Sequence, residues 1–252
     1  MFPRWLQCSA LAFVVGIACR APNEERPRGA ATRMISQAAV PAPRFDPIRV
    51  EPLADDPTVF VLQGQPRGSG KLVFLHGMCG HGLGYAQSFQ NSAAKYGRLI
   101  APQADIRCGN GPWAKWSGDT AKLQERIERT FASLGDGTPL EHVCVLGYSQ
   151  GATRAEALAR AYPRVYSRLV LMAAPSPLNP AGLSHLVSAL MMAGERDRRD
   201  LMKDNAERLK RRGVRASFML IPEATHGSMG PTPEKTMGEA LDWLWEAPAA
   251  TL

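Results

Sequence analysis

Residues 143–163 read VCVLGYSQGATRAEALARAYP. An apolar run rich in β-branched residues ends in Gly147-Tyr148-Ser149-Gln150-Gly151, and an alanine-rich segment begins at once. The pattern is a buried-type strand that becomes a helix within a residue or two. Such a corner forces unusual backbone angles on the serine and leaves no room for side chains two residues before and after it, which accounts for Gly147 and Gly151. A Gly-x-Ser-x-Gly match on its own is weak. Between a strand and a helix it places the Ser149 hydroxyl above the strand ends, at the positive end of the helix that follows.

From about residue 46 onward, strand-like and helix-like pieces alternate. The strand-like runs are Val59–Leu62, Leu72–Leu75, Leu99–Ala101, Val143–Gly147, Leu169–Ala173, Ala189–Ala193 and Phe218–Ile221. Several are continuously apolar, as strands covered on both faces are. The helix candidates are Thr120–Leu134, with Leu123, Ile127, Phe131 and Leu134 on one stripe, and Gln150–Tyr162, Arg199–Arg212 and Pro233–Trp245. Gly213 stands where a C-terminal cap glycine belongs. The alternation predicts an α/β fold with a mostly parallel central sheet flanked by helices.

A serine hydroxyl becomes a nucleophile when a base takes its proton. Of the five histidines, His142 begins the strand that leads to Ser149 and so falls at the wrong end of the sheet, while His185 has no strand directly before it. His76 and His81 lie among glycines in FLHGMCGHGLG. His226, in FMLIPEATHGSMG, follows the last strand-like run, and a loop there lies at the same sheet edge as Ser149. It is the expected base. The acid that orients it is expected in Gly194-Glu195-Arg196-Asp197, just past a strand end. Asp197 is preferred and Glu195 is its rival; Asp200 and Asp204 read as solvated charges on a helix face.

The chain order Ser149, Asp197, His226 resembles that of the α/β-hydrolase superfamily. The resemblance spans roughly residues 55–247. It rests on the serine corner, the strand followed by Gly-x-x-Asp, Thr225-His226-Gly227, and Leu75-His76-Gly77 after an early strand. It implies an oxyanion hole made by the backbone N–H groups of Met78 and Gln150, with His76 structural. It also implies hydrolysis of a small ester or thioester through an acyl-enzyme on Ser149, needing no metal or organic cofactor. Cys79 and Cys108, in loops at that same edge, are expected to pair in an oxidising compartment and stiffen the oxyanion loop. His81 reads as a surface-loop histidine, with the substrate cleft as the alternative. Trp113 and Trp116, in CGNGPWAKWSGD, read either as flat pocket walls or as packing for a long loop. Only 174–188 separate the sixth and seventh strand-like runs, where the family commonly inserts a lid, so no large lid domain is expected and the plan is similar to dienelactone hydrolases and carboxylesterases. Two other readings stay open: a serine peptidase or acyltransferase with the same triad, and a non-catalytic hydrolase-fold binding protein of the cell envelope.

The N-terminus adds a compartment. MFPRWLQCSALAFVVGIACR has one early arginine and an apolar run from Leu11 to Ile17, too short to cross a bilayer. It resembles a secretory signal, and Ala18-Cys19 resembles a bacterial lipoprotein signal in which Cys19 becomes lipidated, although Gly16 stands where that pattern has Leu, Val or Ile. Residues 1–19 are thus expected to be a signal peptide carrying Cys8, residues 20–45 a Pro/Ala/Arg-rich linker, and 46–252 the hydrolase domain. The expected setting is the bacterial envelope, periplasmic or membrane-anchored, or secretion. Residues 1–45 hold +4 of the formal +7 charge, so the remainder is nearly balanced. With no basic face interleaved with aromatics, nucleic-acid binding has no support. The histidines and cysteines show no zinc-ligand spacing.

Overall fold

The computed structural model describes residues 49–51, 59–64, 69–136 and 139–246. The signal-like segment with Cys8 and Cys19, and the 20–45 segment, lie outside the described residues. The strands in chain order are β1 (Arg49–Glu51), β2 (Val59–Leu62), β3 (Gly70–Leu75), β4 (Gly97–Pro102), β5 (Ile106–Arg107), β6 (Ala114–Lys115), β7 (Val143–Tyr148), β8 (Tyr166–Met172), β9 (Ser188–Gly194) and β10 (Arg215–Ile221). The helices are α1 (Gly82–Gln87), α2 (Gln90–Tyr96), α3 (Thr120–Ser133), α4 (Gln150–Ala161), α5 (Arg199–Lys210) and α6 (Pro233–Trp245).

Among the described residues the main sheet has eight strands in the order β1-β2-β4-β3-β7-β8-β9-β10. β1 and β2 pair antiparallel at one edge, and every pair from β4 to β10 is parallel. Side chains alternate across the pleat, and both faces are covered. Val73, Leu75, Val145, Leu171 and Met191 point into one core with Ile127 of α3, Leu158 of α4 and Met202 of α5. Leu72, Phe74, Leu146, Val170 and Met192 point into the other with Ala86 of α1, Ala93 of α2 and Leu241 of α6. This two-sided burial is why the strands read as unbroken apolar runs. The predicted α3 stripe of Leu123, Ile127 and Phe131 is buried, and Asp119 caps that helix by accepting the Lys122 N–H at 3.0 Å.

Two short helices, α1 and α2, occupy 82–96, where the sequence shows no helical pattern. Neither has a side-chain cap of its own. Instead Glu234 of α6 accepts the N–H groups of Asn91 and Ser92, both at 2.9 Å, so α2 is capped from a distant part of the chain. β5 and β6 form a small hairpin outside the main sheet. The connection between β8 and β9 contains neither helix nor strand, so no lid domain is inserted there. No helix among the described residues is long and apolar enough to cross a membrane.

Candidate active site

β7 is central in the sheet, and Ser149 follows its last residue. The backbone at Ser149 has φ 51° and ψ −115°, a positive-φ conformation that a side-chain-bearing residue adopts only when its surroundings enforce it. The enforcing contacts are close. A Cβ on Gly147 would lie 2.3 Å from the Gly151 carbonyl oxygen, and a Cβ on Gly151 would lie 1.9 Å from that of Leu75. Each glycine is needed because backbone occupies the space of a side chain.

The corner directs the Ser149 hydroxyl to His226 on the loop after β10; Oγ donates to Nε2 at 3.0 Å. The other ring nitrogen, Nδ1, donates to Asp197 Oδ2 at 2.9 Å. These partners assign the neutral Nδ1–H tautomer. The Asp197 side chain is only 5% exposed, and its second oxygen accepts the Arg198 N–H at 2.7 Å. The loops bearing Asp197 and His226 are joined main chain to main chain: Glu195 N–H to Ile221 O and Arg196 N–H to Ala224 O, each 3.0 Å. Glu195 points elsewhere, accepting the Glu223 N–H at 3.0 Å, and Asp200 is 97% exposed. Asp204 and His142 are likewise exposed, and His142 immediately precedes β7, at the far end of the strand from Ser149. His185 is half-buried in the β8–β9 connection.

The loop after β3 passes under this group. Gly77 approaches Ser149 so closely that a Cβ on it would stand 3.3 Å from the serine Cβ. His76 is fully buried; Nδ1–H donates to Gly77 O at 2.8 Å, and Nε2 accepts the Ala104 N–H at 3.0 Å. Only a neutral ring makes both bonds, and burial pushes its pKa down from 6.5 to about 4, aided by His81 and Arg126 against the raising effect of the Gly77 hydrogen bond. Gln150 opens α4, so its N–H has no intrahelical acceptor. Its side chain is bound away from the cleft, paired to the Trp116 N–H at 3.1 Å and carbonyl at 3.2 Å. Cys79 and Cys108 form a disulfide, with Cα atoms 5.5 Å apart. Cys144 is a buried free thiol, and burial pushes its pKa up to about 12.

Above Ser149 lies a cleft of about 530 Å³ bounded by Met78, His81, Tyr85, Trp113, Tyr148 and Met229. His81 therefore lines the cleft rather than an outlying surface loop, with its ring 6.1 Å from that of Trp113. The two tryptophans divide the expected roles. Trp113 walls the cleft and is half exposed, whereas Trp116 is packing, 6% exposed, with Nε1–H donating to the His76 carbonyl at 2.7 Å.

Three residues here escaped sequence reasoning. Tyr85 and Tyr148 stack at 5.2 Å and hold the residue after the histidine from both sides. The Tyr148 hydroxyl accepts the Gly227 N–H at 2.7 Å, and the Tyr85 hydroxyl donates to the Gly227 carbonyl at 3.0 Å. Burial pushes the Tyr148 hydroxyl up to about pKa 12. Gln103 joins the early loops: it accepts the Gly82 N–H at 2.9 Å and donates to the carbonyls of Gly80 and Pro112. The one signal available was Tyr148, inside the corner motif. Among the described residues no three His, Cys, Asp or Glu side chains converge to hold a metal ion.

No family model and no curated protein sequence matches the chain. Solved structures do. A predicted CIB-like hydrolase of Thermoplasma acidophilum superposes with TM-score 0.59 at 15% identity, covering 79% of this chain and 98% of that one. A carboxylesterase of Mesorhizobium loti gives 0.58 at 17% identity, with 77% and 98% covered. One of two fungal esterases from Rhizomucor miehei gives 0.57 at 17% identity, with 79% and 82% covered. With the strand order and the strand–serine–helix corner, these likenesses establish that the chain has the α/β-hydrolase fold.

Proposed function

We propose that the protein is a serine esterase that hydrolyses carboxylic ester or thioester bonds of small apolar substrates. The observation that carries this reading is the hydrogen-bonded series Ser149 Oγ, His226, Asp197, with spacings of 3.0 and 2.9 Å, at a strained corner facing an open cleft. In the proposed mechanism, Ser149 attacks the carbonyl carbon as Nε2 of His226 takes its proton. Asp197 holds the ring and stabilises its cationic form. The tetrahedral oxyanion is met by the N–H groups of Met78 and Gln150, each such donor being worth about 2.7–4 kcal/mol in the transition state. His226 returns the proton to the leaving alcohol, and water then enters by the same base to release the acid. That the solved structures of similar fold include a carboxylesterase and other esterases favours this chemistry over the peptidase, acyltransferase and binding-protein alternatives.

The test is labelling of the full chain with a fluorophosphonate probe beside a Ser149→Ala control, followed by a series of esters of graded acyl length. Labelling and turnover by the parent, and neither by the control, is the expected result. A folded parent that takes no label and cleaves no ester would refute the reading. On the same reading the protein works outside the cytoplasm, held by its N-terminal segment. The Cys79–Cys108 disulfide supports an oxidising compartment. A mature N-terminus at acylated Cys19 in the mass spectrum is the expected mark, and an unprocessed Met1 would contradict it.

A further inference from the structure

Five large apolar side chains are exposed among the described residues: Met78, Ile106, Trp113, Val187 and Leu220. Three of these, Met78, Ile106 and Trp113, belong to two neighbouring segments, the loop after β3 and the β5–β6 hairpin. Met78 and Trp113 stand at the cleft itself, 62% and 50% exposed. The segments are joined by the Cys79–Cys108 disulfide and by the Ala114 N–H donating to the Gly80 carbonyl. The hairpin also carries two exposed cations: Lys115 is paired with Ile106 across the strands, and Arg107 is its neighbour. Within the cleft, no Asp, Glu, Lys or Arg among the described residues contributes to the lining. A cleft lined by no Asp, Glu, Lys or Arg thus opens at a lip of exposed apolar side chains, flanked by Lys115 and Arg107 with Asp105 beside Ile106, that is fastened to the loop after β3.

Exposed apolar side chains gathered in one place mark a surface that meets another apolar phase. A half-exposed tryptophan beside lysine and arginine is the composition that settles at a lipid–water boundary, ring inward and cations at the headgroup level. We propose that this lip seats the protein on the surface of an aggregated, lipid-like ester, so that a substrate molecule passes from the aggregate into the cleft without full exposure to water. The proposal rests on the esterase reading and names its substrate class: amphiphilic esters presented in bulk rather than as dissolved molecules. The disulfide suits this role, because a docking lip that shifted relative to Ser149 would not deliver the carbonyl to it.

The test follows acid release by the full chain from tributyrin as its concentration passes the solubility limit, so that one ester is offered dissolved and then dispersed. The comparison is with the double variant Ile106→Asp, Lys115→Glu, two positions outside the cleft lining and the Ser149 machinery. Parent and variant share the same N-terminal segment, so that segment cannot produce a difference between them. The expected result is equal activity on dissolved ester, which also shows the variant to be folded. It is accompanied by a rise of about tenfold for the parent on dispersed ester that the variant loses, the scale set by burying one large apolar side chain. No rise in the parent, or an equal rise in both, overturns the docking proposal and leaves the esterase reading intact. Hydrolysis of neither form overturns the esterase reading and this one with it.

Discussion

His76 offers a test of how the loop after β3 is held. Its ring is fully buried, with one nitrogen donating to Gly77 and the other accepting from Ala104, and its pKa is driven from 6.5 to about 4. In the unfolded chain the same ring titrates near 6.5. Above that pH both states are neutral, so His76 makes stability independent of pH. Below it the unfolded state takes up a proton that the folded state refuses, and stability is lost at about 1.4 kcal/mol per pH unit until the folded pKa is reached. The full loss is about 3 kcal/mol, and about 2 kcal/mol of it falls between pH 8 and pH 5. The assay is urea unfolding of the oxidised parent and of His76→Gln at each half unit from pH 8 to pH 5. Glutamine lacks the titrating proton while keeping a donor and an acceptor. Other titrating groups cancel in the difference, so the parent's stability relative to the variant should stay level down to about pH 6.5 and then fall. A difference that stays flat to pH 5 would show that His76 takes up a proton as readily in the folded protein as in the unfolded chain, and the account of the loop would be wrong.

Two further perturbations probe the same framework. Tyr148→Phe removes the acceptor of the Gly227 N–H and leaves the Tyr85 stack; the expected result is kcat for a soluble ester lowered by about tenfold with KM nearly unchanged, the cost of one buried hydrogen bond felt at the base. An equal change in KM would instead place Tyr148 in substrate binding. Replacing Cys79 and Cys108 by serine opens a link across a sequence separation of 29 residues, and loop-closure entropy puts the loss at about 3–4 kcal/mol, read by chemical unfolding against the oxidised parent. A loss below about 1 kcal/mol would mean that Gln103 and the small hairpin hold the loop unaided.

The main sheet and the serine corner were legible in the sequence because their causes are local. A strand covered on both faces must be apolar at every position, and a corner with backbone 1.9 Å from where a Cβ would sit must carry glycine. That His226 and Asp197 would lie at the same edge as Ser149 was legible from position, since loops after parallel strands open on one edge of the sheet. What was not legible depends on distant partners. The segment 82–96 is poor in helical signals because its helix α2 is capped by Glu234, more than 140 residues away in sequence. The clasp on Gly227 joins Tyr85 and Tyr148 to a loop that neither precedes nor follows them. Trp113 and Trp116 are alike in sequence, and only the fold sends one outward and the other beneath His76.

The plain connection between β8 and β9 bears on the fate of whatever is bound to Ser149. Enzymes that hand an acyl group to a chosen acceptor must first shut out water, and they do so with a lid or a closing loop. Here no domain is inserted between β8 and β9 among the described residues, and the imidazole that would activate the second nucleophile is 53% exposed. An acyl group on Ser149 would stand open to solvent, with the base already wet. Under the proposed mechanism, the competition between water and any other acceptor is decided by abundance, and the covalent intermediate ends as free acid.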